Sequence, residues 1–192
     1  VGREYSPIAA VAAATDTLGQ GFYGSNLSAF TSNRLTRRIS NSVNYESQAL
    51  SGFKVLAAYG AGEAATSGPS GDLMGFAVEY KNGSLFLGGG YHQIERLATD
   101  DDKEYVAGAG VTLGAVEVKG NYLVADRAGT PSKFEQMNFG ASVKAGKAGK
   151  LSANLQYNEQ GSAKGRLIGI AYSHALSKRT DVYTTLAKMS NN

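Results

Sequence analysis

Val116-Glu-Val-Lys-Gly-Asn-Tyr122 alternates apolar or glycine with polar at every position, and Leu151-Ser-Ala-Asn-Leu-Gln-Tyr157 repeats the pattern. Period two is the signature of a strand whose two faces meet different surroundings. Outward from these segments the same rule recurs. Phe53, Val55, Ala57 and Tyr59 share a face against Lys54. Met74, Phe76, Val78 and Tyr80 stand against Gly75, Ala77 and Glu79, and Met137, Phe139, Ala141 and Val143 against Gln136, Asn138, Ser142 and Lys144. Tyr105, Ala107, Ala109, Val111 and Leu113 form a further stripe. The pattern predicts ten strands, at 38–46, 52–60, 72–81, 84–95, 103–113, 115–126, 133–145, 150–158, 165–175 and 180–188.

The connections alternate in length. Short ones fall at Asn82-Gly83, at Gly114, between Lys147 and Lys150, and between Leu176 and Arg179, with Ser47 to Ser51 taking the short-side position. Asn-Gly is the strongest short hairpin signal. Longer polar connections are expected at 61–71, 96–102, 127–132 and 159–164. Antiparallel strands with short turns at one end and longer loops at the other make an up-and-down meander.

Composition narrows the function classes. A net charge of +3 is too mild to argue for nucleic acid. The absence of cysteine excludes disulfides and zinc–thiolate sites, and His92 and His174 are the only histidines, so no metal site is expected. The longest apolar run, Ile8 to Ala14, falls far short of a transmembrane helix, which leaves strands as the only means of crossing a bilayer. Tyr45, Tyr59, Tyr80, Tyr122, Tyr157 and Tyr172 lie near strand ends on the apolar face, where an interfacial aromatic girdle sits in a membrane barrel. Soluble sandwiches also alternate and also carry end tyrosines, so the pattern alone leaves both readings open.

Residues 1–37 differ. Gly2-Arg3-Glu4-Tyr5 ends a strand, Ser6-Pro7 reads as an N-cap followed by proline at the first helical position, and Ile8–Ala14 continues as a short helix. Residues 15–33, rich in Gly, Ser, Thr and Asn, read as loop. A connection this long between strands is more often functional than filler.

Specific residues then bring a family into view. Gly2-Arg3-Glu4-Tyr5-Ser6-Pro7 resembles the strand end and loop start "GRQYTP" of Gram-negative general porins of the β-proteobacterial type. Arg38-Ile-Ser-Asn-Ser-Val-Asn-Tyr-Glu-Ser47 is similar to that family's "RxxNSxxYxS" departure from the third loop. Gly52-Phe53, Tyr59-Gly-Ala-Gly-Glu63 and Leu176-Ser-Lys-Arg-Thr180 resemble its later landmarks, in family order.

The resemblance implies an all-β protein: an antiparallel up-and-down transmembrane β-barrel of sixteen strands, of which ten to eleven lie in residues 1–192. The earlier strands and the closing one are expected outside this sequence. It implies a passive diffusion channel in the outer membrane, homotrimeric, in contact with lipid and lipopolysaccharide, passing ions and small hydrophilic solutes. No cofactor, catalytic residue or nucleic-acid partner is implied. The different-class alternative is a non-conducting outer-membrane or soluble β-barrel used for binding or adhesion. Loop 6–37 would form the constriction, where pore walls select by diameter and charge. Asp16, its single acid, is the expected acidic side. Arg38, on the Ser40, Ser42 and Asn44 face by alternation, and Lys54, opposite Phe53 and Val55, are expected to point into the lumen. Arg3 is carried over from the family pattern, with Gly2 permitting a local bulge, and Arg34 sits with Arg37 at the loop's end. His92 is expected to be a lumen residue and His174 a rim residue. Asp100-Asp101-Asp102 reads as a hydrated loop, since it lacks the spacing of a calcium loop. Gly88-Gly89-Gly90 reads as a point of close packing or a bend. The longer loops are expected outside the cell and the short turns in the periplasm. The basic loop end predicts weak anion preference.

Overall fold

Alternation carries through the chain almost without interruption. The computed structural model describes residues 2–31, 34–63, 71–96 and 99–191; positions 64–70 and 97–98 of two expected loops lie outside the described residues. The elements are β1 (Gly2–Tyr5), α1 (Pro7–Ala14), a 3₁₀ turn (Asn26–Phe30), β2 (Arg38–Glu46), β3 (Phe53–Gly60), β4 (Leu73–Asn82), β5 (Leu85–Ile94), β6 (Asp102–Leu113), β7 (Val116–Asp126), β8 (Phe134–Ala145), β9 (Gly149–Gln160), β10 (Ala163–Ser177) and β11 (Thr180–Asn191). Each strand pairs antiparallel with its sequence neighbours, in the order β1 to β11. Every predicted strand is present within a few residues. The expected longer loop at 159–164 is not: β9 and β10 continue into a two-residue turn, where Gly161 takes a φ of +62° that closes the hairpin tightly.

The two faces are chemically separate, as the alternation requires. Met74, Phe76 and Val78 on β4 and Met137, Phe139 and Val143 on β8 are exposed on one face. Ala77, Gln136, Asn138 and Ser142 are buried on the other. What buries this second face is segment 6–37. Its helix α1 contacts β3, β4, β5 and β6, and the Phe22 ring meets that of Tyr183 on β11 at 5.1 Å. A segment touching both β3 and β11 requires the sheet to curve around it.

Local chemistry makes α1 possible despite its eight residues. Ser6 caps it, its Oγ accepting from the Ala9 N–H at 3.2 Å, and Pro7 occupies the first turn. A helix this short is marginal alone, so its packing sustains it. Ile8, Val11 and Ala12 cluster with Ala29 and Leu35 of the same segment and with Leu56, Ala77, Val106, Leu123, Ala125 and Phe134 of the wall. Burying each larger side chain is worth about 1.5–3 kcal/mol. The wall face thus carries apolar patches, one of them under the helix, rather than being polar throughout.

Glycines bring the backbones together. A Cβ on Gly88 would lie 2.8 Å from Val11 Cγ1, one on Gly90 would lie 3.2 Å from Ile8 Cγ2, and one on Gly108 would lie 2.6 Å from Thr15 Oγ1. Gly88 and Gly90 of the glycine run form a packing surface, as its composition suggested, while Gly89 meets no part of the segment. We predict that Gly108→Val pushes the segment off the wall and lowers unfolding stability in detergent by about 1–3 kcal/mol. Gly89→Ala, whose added Cβ meets nothing closer than 3.7 Å, serves as the neutral control in the same denaturation measurement.

Candidate functional site

Segment 6–37 is held at both ends and in the middle by polar groups of the wall. At its start, the Ile8 N–H donates to His92 Nε2 at 3.3 Å. At its end, Glu104 accepts from the Thr36 N–H at 2.9 Å and from Thr36 Oγ1 at 2.9 Å. His92 Nδ1 and Glu104 Oε2 are 3.3 Å apart, and both side chains are fully buried. Arg127 reaches Glu104 at 2.9 Å, Asp102 at 2.7 Å and the Arg34 carbonyl at 2.9 Å. Arg96 completes the cluster by pairing with Asp102. The two ends are tied to each other as well: Ser6 Oγ donates to the Thr36 carbonyl at 2.6 Å, and the Ser6 N–H to the Arg37 carbonyl at 3.0 Å.

Further along, Asn121 donates to the Thr15 carbonyl at 3.1 Å, and Asn154 and Gln156 donate to the Gly24 carbonyl at 2.6 and 2.8 Å. Such side chains, polar and wall-mounted, satisfy backbone groups that a buried loop otherwise leaves orphaned.

Asp16 is buried rather than displayed on a channel surface. Its carboxylate accepts the Leu18 N–H at 3.3 Å and the Gln20 N–H at 2.8 Å, shaping the turn after α1. Lys54 lies 2.9 Å from Glu46 and 3.0 Å from Glu79, so two carboxylates neutralise its charge. The arginines differ from it. Arg38 sits 4.5 Å above the Tyr5 ring and donates to the Tyr5 hydroxyl at 3.0 Å; Arg37 lies 5.3 Å from the same ring, and Arg34 lies 4.6 Å from the ring of Phe134. Among the described residues no carboxylate lies within ion-pair distance of Arg3, Arg34, Arg37 or Arg38. Arg3, Arg37 and Arg38 line a cavity of about 1180 Å³ beside the segment, together with Ile39, Glu63 and Ile94.

Strict alternation expected Arg38 to share a face with Ser40, Ser42 and Asn44. A bulge corrects this. Asn41 adopts a φ of +50°, which asparagine tolerates better than most residues, and the β1–β2 register shifts between Gly2 and Glu4. Ile39 therefore packs on the segment-bearing face with Ala58, Leu73 and Ile94, while Arg38 is exposed at the rim of the cavity. The hydrated-loop reading of Asp100-Asp101-Asp102 is also corrected at its last member: Asp102 is 2% exposed and carries two arginines. His174, read as a rim residue, is half-buried and lies 3.1 Å from the Tyr172 hydroxyl through Nδ1.

Two outcomes follow from this geometry. Glu104→Ala takes the acceptor from the Thr36 N–H and the His92 ring and one of the two carboxylates from Arg127, and chemical denaturation in detergent should show a loss of about 3–5 kcal/mol. The second concerns pH. Burial pushes the Asp16 carboxyl above the usual carboxylate range, against the opposing pull of the Gln20 and Leu18 N–H groups. Between the ordinary and the raised value the native state holds a proton that the unfolded chain has released, so stability falls as pH rises through that window. Asp16→Asn removes the ionisation. Its stability relative to the unsubstituted protein should climb as pH goes from about 4 to about 7, read from denaturant titrations at each pH.

Comparison with known proteins gives a consistent answer. The chain is 30% identical over 166 residues to outer membrane porin protein 32 of Delftia acidovorans, covering 80% of this chain and 47% of the relative. It thus spans about half the length of that protein. The anion-selective porin from Comamonas acidovorans superposes with a TM-score of 0.87 at 24% identity, over 99% of this chain and 62% of that one. The trimer form of OmpT from Vibrio cholerae superposes at 0.74 with 15% identity, over 99% and 65%. The model of the Gram-negative porin family matches residues 1–192. The exposed apolar face is therefore the lipid-facing side of a transmembrane β-barrel and the segment-bearing face its interior, and the chain belongs to the Gram-negative porins of the bacterial outer membrane.

Proposed function

We propose that the whole protein is a passive, non-enzymatic diffusion channel for ions and small hydrophilic solutes, weakly preferring anions, with segment 6–37 as its constriction loop. One observation carries this reading: a long loop pinned flat on the barrel's inner wall, leaving beside it a cavity rimmed by Arg3, Arg37 and Arg38 with no carboxylate in ion-pair distance among the described residues. In a narrow, low-dielectric passage such charges focus the field and enrich counter-ions. Lys54, neutralised by Glu46 and Glu79, adds little to that field. Asp16, expected as the acidic side, is buried in the loop's own turn and shapes the loop instead of facing solutes.

The remaining expectations form part of the same proposal. Sixteen strands would close the sheet in the whole protein, since lipid tolerates no open strand edge. Three copies would assemble as a ring, a reading supported by the likeness to an outer membrane protein solved in a trimer form. The exposed apolar belt meets lipid and lipopolysaccharide. The connections 61–72, 95–101 and 127–133 are longer than the turns at the opposite strand ends, which supports placing them outside the cell.

Reversal potentials of the full-length protein in a salt gradient across a planar bilayer test the channel and its selectivity together. The expected result is anion preference at low salt that fades as the Debye length shrinks from about 30 Å at 0.01 M to about 3 Å at 1 M. Arg37→Ala with Arg38→Ala should shift the permeability ratio toward cations by about twofold while conductance persists. A cation-preferring unsubstituted channel would overturn the selectivity.

A further inference from the structure

We propose that His92 is the positioning residue of the constriction loop and acts as a proton-operated latch: it grips the start of α1 only while its ring is neutral, and lets go when protonated. The inference rests on the reading of segment 6–37 as the constriction.

The argument begins with hydrogen-bond direction. His92 Nε2 lies 3.3 Å from the Ile8 nitrogen, whose N–H points at it. That N–H is one of the first of α1 and has no partner inside the helix. Nε2 must therefore carry a lone pair, which places the ring proton on Nδ1, facing Glu104 Oε2 at 3.3 Å. Gly75 on β4 gives the ring its space, since a Cβ there would collide with the imidazole carbons. The ring is thus clamped between β4, Glu104 and the helix start, with each nitrogen committed.

A second proton changes one side of this arrangement only. On Nε2 it meets the Ile8 N–H head on, so an acceptor becomes a donor facing a donor. It also puts positive charge at the positive end of the helix dipole. On the other side Nδ1–H keeps Glu104, and the carboxylate stabilises the imidazolium. The protonated ring therefore remains anchored to the wall while its grip on α1 is lost.

The groups around the ring define the balance. From β6 come Glu104 and Asp102; from the β7–β8 connection comes Arg127, bound to both; from the end of β5 comes Arg96, bound to Asp102. β4 presents Gly75 next to the ring, with Glu79 further along and paired to Lys54. α1 brings no acid in its first turn, and the loop's end brings Arg34 and Arg37.

The release is local. Asn121 on Thr15, and Asn154 and Gln156 on Gly24, hold the rest of the loop through groups that do not titrate. Motion is confined to the helix start, whose cap Ser6 is bonded to Arg37 at the cavity rim.

The test uses the full-length protein with ¹⁵N-labelled histidines in detergent, alongside single-channel conductance. His92→Gln identifies the His92 signals. At neutral pH the imidazole should show the Nδ1–H tautomer. On acidification it should become doubly protonated, with conductance changing by about twofold at the same midpoint and the protection of the Ile8 amide lost. Glutamine at position 92 offers an acceptor without a titrating proton, so His92→Gln should hold conductance and Ile8 protection constant over this range. An Nε2–H tautomer at neutral pH overturns the latch, as does a pH transition unchanged in His92→Gln. Absence of current at every pH would defeat the channel reading, and the tautomer and the Ile8 amide would still decide the latch.

Discussion

A loop of thirty-odd residues inside a barrel has to satisfy its backbone without the water a surface loop enjoys. Here polar side chains of the wall and the loop share that task, and one buried carboxylate fixes the ends. Glu104 takes the Thr36 N–H and hydroxyl from the loop's end, Arg127 from the wall, and His92 from the neighbouring strand, and His92 in turn takes the first free N–H of α1. Both ends of the loop are thus fixed to adjacent strands through a single hub. Removing any one partner leaves a charge or a donor short of its partner in a largely buried cluster, which makes each contact costly to lose.

Once the ends are fixed, fit decides where the middle lies. The wall under α1 is built for approach: glycine at 88, 90 and 108, alanine at 77, and branched side chains at Val106 and Leu123 that fill the spaces between. The helix answers with alanine on most of its surface and Ile8 and Val11 as its bulky contacts. Where the loop leaves the helix, amide side chains replace apolar ones, and the wall switches to Asn121, Asn154 and Gln156. The inner face is therefore a template for one segment of this chain as much as a lining for solvent.

The same geometry assigns the basic residues to different duties. Arg96 and Arg127 belong to the hub, each held to a buried carboxylate. Lys54 is balanced by Glu46 and Glu79. Arg3, Arg37 and Arg38 remain, at the rim of the cavity, stacked on or beside Tyr5 where the last two are concerned. Position relative to the hub, and not charge alone, separates structural arginines from those available to passing ions.

Alternation in Val116–Tyr122 and Leu151–Tyr157 determined the strands, their pairing order and which side chains share a face, because side-chain period two is a local property that any neighbour in the chain reveals. Ser6-Pro7 and the alanines after it determined α1 for the same local reason. The glycine run at 88–90 announced close packing but not its occupant. Arg38 was misplaced because a one-residue bulge at Asn41 inverts the alternation, and nothing before the β1–β2 register shows it. The hub was not legible at all: His92, Glu104, Arg127 and Thr36 come from four separate elements, and none carries a spacing motif. Only tertiary structure decided that Asp102 and Glu104 would be buried, that Asp16 would cap its own turn, and that the loop would lie flat, since burial and hydrogen-bond pairing depend on which strands the curving sheet brings around the loop.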